Sequence, residues 1–200
     1  MTIIGCAVSV WTHRVTITNY SIKKIKNSSF KSITGEDTGR SWIENWGVDG
    51  FIVVEILANK NILDLTNKHS LNFYVDAWFC KQPNKITHMG QPSLFVEGKS
   101  VNKWSVTSAL TGKKLDQIPF KYNGQTVYKY NIVLYQNWVK DLPLPDAFKK
   151  DKKQTVYLKY DLKDNPQDIC ISLSGGGMTS EIKSNVIIIP ASDIQKVFKQ

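Results

Sequence analysis

The sequence predicts an all-β protein, an antiparallel β-sandwich (jelly-roll-like) closed by a short C-terminal helix. Three observations predict it. Leu71 to Cys80 alternates strictly, with Leu71, Phe73, Val75, Ala77 and Phe79 set against Asn72, Tyr74, Asp76, Trp78 and Cys80, the pattern of a strand with one face in a core. Roughly ten or more short β-rich runs are separated by turn signals every 8 to 12 residues or so, the spacing of a sandwich or barrel. No strand–helix alternation appears, which disfavours a doubly wound α/β fold.

Ile3 to Trp11 and Arg14 to Thr18 are β-rich, the second alternating Val15 and Ile17 against Thr16 and Thr18. Ser21 to Lys31 carries Lys23, Lys24, Lys26 and Lys31 interrupted by Ile22, Ile25 and Phe30, as an edge strand guarded by lysine does. Ser32 to Gly50 is a polar, glycine-punctuated loop holding Trp42 and Trp46. Phe51 to Leu57 is a short apolar run that reads as a buried strand, and Asn59-Lys60-Asn61 is a turn before Ile62 to Leu65. After the central strand, Lys81 to Pro92 is a loop, and Ser93 to Glu97 and Lys103 to Ser108 are short strands, Trp104 and Val106 sharing a face. Thr111 to Lys114 is a turn. Asn123-Gly124 is a strong hairpin signal, because both turn positions favour positive φ. The strand after it is long, with Tyr128, Tyr130, Ile132, Leu134 and Trp138 on one face and Gln136 as the polar member. Asp141 to Lys153 is a surface loop. Thr155 to Tyr160 and Asp168 to Leu173 resume strands, Gly175-Gly176-Gly177 is a flexible turn, and Asn185 to Ile189 is a last strand closed by Pro190. Ser192 with Gln195 forms a capping box opening a helix lined by Ile194, Val197 and Phe198. One sandwich over 1–200 is the domain reading; the other division is a core sandwich over 1–110 with an extension over 111–200.

Composition bounds the function. The chain has 200 residues, 42% hydrophobic and 22% charged, enough to bury a sizeable core. No apolar run approaches the roughly 20 residues of a spanning helix. The N-terminus lacks the regions of a signal peptide, so synthesis in the cytoplasm is expected, with release by a non-classical route the way to an external target. Ile3-Ile4-Gly5-Cys6 looks like a lipoprotein box, but too few residues precede it and an ordinary first strand is expected. Three widely spaced cysteines, Cys6, Cys80 and Cys170, fit buried free thiols better than a disulfide framework or a metal site. The net charge of +9 comes from 26 basic residues of which only Arg14 and Arg40 are arginine. Base-edge recognition leans on arginine, so this bias argues against nucleic acid and reads first as a solubility feature, or else as loose attraction to anionic membranes or polymers. His13, His69 and His88 show no metal-ligand spacing, and the glycine run lacks the Gly-Lys-Ser/Thr ending of a phosphate loop. No catalytic constellation and no cofactor motif emerges, so no enzyme is expected.

What stands out is aromatic residues in loops and at strand ends, side chains that settle at membrane interfaces and also serve sugars and protein partners. Phe73-Tyr74-Val75-Asp76-Ala77-Trp78-Phe79 followed by Pro83-Asn84 resembles the central segment of the aegerolysins and their bacterial insecticidal relatives. Arg14 to Asn19 with Ile22 to Asn27 is similar to that family's opening hairpin, and the loop through Trp42, Trp46 and Gly50 to its glycine-containing segment. The match covers about residues 14–90, and Ala77 and Trp78 stand where the family has a proline. The resemblance implies a β-sandwich that binds membrane lipid and works with a partner in pore formation. The functional expectation is therefore a non-enzymatic protein engaging membrane lipid or glycan, with a toxin or pore-forming component as one form of it. Trp42, Trp46, Trp78 and Phe79 are the expected contacts, with Lys23, Lys24 and Lys26 as electrostatic support. The alternative is a self-assembling subunit, of inclusion-body, tail or capsid type, burying the same aromatics against a protein partner or a homo-oligomer.

Overall fold

The computed structural model describes residues 11–26, 29–34, 50–69, 71–81, 87–88, 92–101, 110–113, 115, 117–135, 137–142, 156–177 and 179–199. The expected strand over Ile3 to Val10 with Cys6, the loop tryptophans Trp42 and Trp46, the strand over Lys103 to Ser108 and most of the Asp141–Lys153 loop lie outside the described residues.

The protein is an all-β sandwich with a C-terminal helix. Sheet A runs in the order β1 (Trp11–Val15), β13 (Ser180–Ser184), β12 (Ile169–Gly176), β4 (Asn72–Phe79), β5 (Thr87–His88), β10 (Asn137–Leu142) and β11 (Val156–Asp161), with β14 (Ile187–Ile189) also on β12. Sheet B runs β2 (Ile17–Lys26), β3 (Gly50–Ala58), β9 (Gln125–Tyr135), β6 (Ser93–Val96) and β7 (Lys99–Ser100), with β8 (Phe120–Tyr122) also on β9. Each sheet takes strands from both sides of residue 110. Pairing is antiparallel except that β1 lies parallel to β13.

The hydrophobic pattern explains the layers. Phe73, Val75 and Phe79 of β4 meet Ile169, Ile171 and Leu173 of β12 on the inner face of sheet A. Facing them from sheet B are Ile52, Val54 and Ile56 of β3 and Tyr130, Ile132 and Leu134 of β9. Sheet B is covered on its other face too. Phe51 and Val53 join Ile25, Phe95 and Val133 beneath Phe30 and Ile33 of α1 (Phe30–Thr34), with the Phe30 and Phe51 rings 4.5 Å apart. A strand enclosed on both faces needs apolar residues at both parities, which is why Phe51 to Leu57 reads as a continuous run rather than an alternation.

The turns follow their chemistry. Asn123 (φ 47°) and Gly124 (φ 77°) join β8 to β9, and Glu97 (φ 46°) with Gly98 (φ 74°) joins β6 to β7, both as the left-handed pairs a two-residue hairpin requires. β9 ends at Tyr135, and the chain resumes at Asn137 as β10 in the other sheet, so the long strand expected through Trp138 is two strands.

Four further expectations are corrected. Ile62–His69 is a helix, α2, capped by Asn61, whose Oδ1 accepts the Asp64 N–H at 3.1 Å. Gly175 and Gly176 belong to β12, and Gly175 is there because a Cβ would stand 2.8 Å from the Asn72 carbonyl oxygen on β4. The C-terminal helix α3 (Ala191–Lys199) begins before Ser192, where Asp168 Oδ1 accepts the Ala191 N–H at 2.9 Å. Its apolar side, Ile194, Val197 and Phe198, is as expected and packs toward β2. Finally, Cys80 and Cys170 form a disulfide, their Cα atoms 5.1 Å apart. Their separation of 90 residues hides what the register makes plain, since β4 and β12 are neighbours and the two cysteines share a face.

Candidate functional site

The site grows from a corner where the chain changes sheets. β1 belongs to sheet A and β2 to sheet B, with Thr16 between them. Two asparagines hold this crossing. Asn59 Oδ1 accepts the Thr16 N–H at 2.8 Å, and the Asn59 N–H donates to the Thr16 carbonyl at 3.0 Å. Asn185 Oδ1 accepts the Ile17 N–H at 2.7 Å while its Nδ2 donates to the Ile17 carbonyl at 3.2 Å. A strand that leaves one sheet for another breaks its ladder, and these four bonds take up the backbone groups released.

Beside the corner is an open groove of about 450 Å³, lined in part by Thr12, Arg14, Thr16, Glu181, Lys183 and Asn185. Its walls follow from parity. His13 pairs with the buried Ile182 and points inward, so Thr12 and Arg14 point outward, directly beside Glu181 and Lys183. Two cations therefore stand opposite each other on neighbouring strands, an arrangement that destabilises a sheet unless something compensates. Glu181 compensates Lys183, to which it is bonded at 3.0 Å. The Thr12 hydroxyl donates to Glu181 Oε1 at 2.6 Å, and this bond and then the Lys183 bond hold the Glu181 carboxyl below its ordinary value. Arg14 is exposed and makes no ion pair with a described residue.

The groove continues as a row across sheet A. Arg14 lies opposite Lys183, Lys183 opposite Ser174, and Ser174 opposite Tyr74. At about 4.8 Å per strand this row extends about 14 Å. It ends on Tyr74, a ring 43% exposed. Next to it, Asp76 Oδ2 accepts the Ser174 hydroxyl at 2.8 Å. Beyond lies an apolar row, Trp78 opposite Cys170 and Cys170 opposite Ile188, the last 56% exposed. The face thus offers cations, the carboxylates Glu181 and Asp76, hydroxyls, and the aromatic rings of Tyr74 and half-buried Trp78, a set suited to holding a ligand by contact and charge.

The expected contact residues are not brought together. Trp78 is half-buried on this outer face, but Phe79, one residue on, takes the opposite parity and is 2% exposed in the core. Phe79 is therefore a packing residue. Lys23, Lys24 and Lys26 are exposed on the edge strand β2 of the other sheet. They form no single patch: Lys23 opposes Val53 on one face, while Lys24 and Lys26 take the other, with Lys24 Nζ 5.0 Å from the Phe198 ring centroid. The row Arg14, Lys183, Ser174 and Tyr74 is not among the expected contacts. The outward parity of Tyr74 and the rarity of arginine were signals; the polar run Ser180–Ser184 hid β13, and with it the groove.

One further pair is unexpected. The rings of His13 and His69 are 4.3 Å apart, and His13 Nε2 is enclosed without a hydrogen-bond partner among the described residues. Among the described residues no group of three or more metal-ligating side chains forms. No known protein family, curated protein or solved structure matches this chain.

Proposed function

We propose that this is a non-enzymatic binding protein whose ligand is an anionic headgroup, carried by membrane lipid or by an acidic glycan. The observation that carries the reading is the pair Arg14 and Lys183, set side by side at the mouth of the groove on a row that ends at Tyr74. Lys183 is already paired with Glu181, whereas Arg14 makes no ion pair with a described residue, so its guanidinium is the charge offered to an anion in the groove. Tyrosine supplies a flat surface with a polar tip, suited to a sugar ring or to the headgroup layer of a bilayer. The net charge of +9 draws such ligands in from a distance. The Cys80–Cys170 bond suits a protein that works in an oxidising compartment, where lipid surfaces and acidic glycans are both met.

Co-sedimentation with phosphatidylserine–phosphatidylcholine vesicles, and retention on immobilised heparin, separate the two carriers. Arg14→Ala is expected to weaken whichever binding occurs by about tenfold or more, the worth of a charged hydrogen bond. Binding that is unchanged in Arg14→Ala would remove the groove from the reading. No binding to either probe, together with a defined large oligomer in light scattering, would turn the assignment to a self-assembling subunit.

A further inference from the structure

We propose that the His13–His69 ring pair is a proton-operated catch on the groove, one that unlocks β1 and the Arg14 it carries when the surroundings acidify. β1 is a short strand with two uses. Its outward residues Thr12 and Arg14 line the groove, and its inward residue His13 is wedged against α2. The contacts of that wedge admit a neutral ring and resist a charged one. His13 Nε2 is enclosed and has, among the described residues, no acceptor to receive a second N–H. From α2 the ring is faced by His69 at 4.3 Å, from the turn before α2 by Lys60, and from β13 by the apolar Ile182. Glu181 and Lys183, on either side of Ile182, take the opposite parity and point into the groove. On its own strand Arg14 also points away. Among the described residues, the side chains that face His13 include the cation Lys60 and no carboxylate. Burial, then His69 and Lys60, hold its imidazole below the ordinary histidine value of 6.5.

The sign follows. His13 binds a proton more weakly in the folded protein than in the unfolded or unlocked strand, so the docking of β1 is at full strength above about pH 6.5 and weakens as pH falls below it. One proton gives at most about a tenfold change per pH unit, so about thirtyfold by pH 5. Loss of β1 separates Arg14 from Lys183 and releases an anionic ligand. Simple electrostatics predicts the reverse, since acidification adds positive charge. The release of ligand rests on the reading of the groove given above; the unlocking of β1 does not.

The test uses the full chain. Hydrogen-exchange protection of the β1 amides, corrected for intrinsic rates, is measured at about pH 7.5 and pH 5, alongside phosphatidylserine–phosphatidylcholine vesicle binding. Protection should fall by up to about thirtyfold in the wild type and stay level in His13→Phe, which keeps a ring and removes the proton site. His13→Asn serves if that variant does not fold. Protection that holds in the wild type, or falls equally in the variants, overturns the catch. Vesicle binding weaker at pH 5 in the wild type alone supports the coupling, and binding that strengthens at pH 5 overturns it. Unlocking seen without vesicle binding at either pH sustains the catch and sinks the ligand reading instead.

Discussion

Replacing both Cys80 and Cys170 by alanine removes the one covalent tie between β4 and β12 among the described residues, and the loss can be worked from the loop it closes. A separation of 90 residues, entered in the loop-closure relation, gives about 4.6 kcal/mol at about 25 °C. For a chain of 200 residues the unfolding entropy is about 0.42 kcal/mol per kelvin, so the melting temperature should fall by about 11 °C. Reduction of the wild type should give a shift of the same size, because both routes free the same loop. The assay is a thermal melt followed by circular dichroism, paired with alkylation of the denatured protein before and after reductant. Two additional alkylations after reduction are expected. Equal alkylation with and without reductant would refute the bond. A bond that is present while the melting temperature moves by less than about 2 °C would refute the loop argument.

Tyr130→Phe should destabilise the protein by about 1–3 kcal/mol in urea unfolding. The Tyr130 hydroxyl, fully buried and pushed up in pKa by that burial, accepts the Ile62 N–H at 2.7 Å and donates to Gln117 Oε1 at 2.9 Å. Phenylalanine fills the same space and leaves the first N–H of α2 with no acceptor, so a change under about 0.5 kcal/mol would contradict the account. Gly175→Ala should cost about 1–3 kcal/mol, since its Cβ would press on the Asn72 carbonyl at 2.8 Å and push β12 from β4. The same substitution at Gly176, where nothing lies within 4 Å, is the control that should change stability little.

Much of the sandwich was legible because its strands carry local signals. β4 reads from its alternation, the β8–β9 hairpin from Asn123-Gly124, and β2 as an edge from its lysines, each a property of a few adjacent residues. What was not legible depends on partners distant in the chain. β13 is Ser180-Glu181-Ile182-Lys183-Ser184, with one apolar residue that packs inward and polar residues facing the groove, so its alternation is too thin to separate from a turn. The helix Ile62–His69 is short, and its one clear signal was Asn61 as a cap, which also suits the turn expected there. Trp78 and Phe79 are adjacent aromatics at one strand end, and parity alone puts Phe79 in the core while Trp78 stays on the outer face. The disulfide needed the register of β4 on β12, and two cysteines far apart in sequence carry no register.

The groove and the sheet-switch corner are one structural device. A strand that stayed in sheet A past Val15 would continue beside β13, and the space that Arg14 and Lys183 share would be only a stretch of ordinary surface. The chain instead leaves at Thr16, and Asn59 and Asn185 hold the departure by hydrogen bonds to backbone on both sides of it. Asn185 itself lines the groove, so the side chain that fixes the corner also shapes the cavity. That coupling explains how a like-charge pair can be held on a strand of only five residues. Glu181 pairs with Lys183, and the hydrogen bonds at Thr16 and Ile17 hold the end of β1 next to Arg14. The same bonds hold the C-terminal end of β1 at Thr16, and His13 is an inward residue between that end and Trp11.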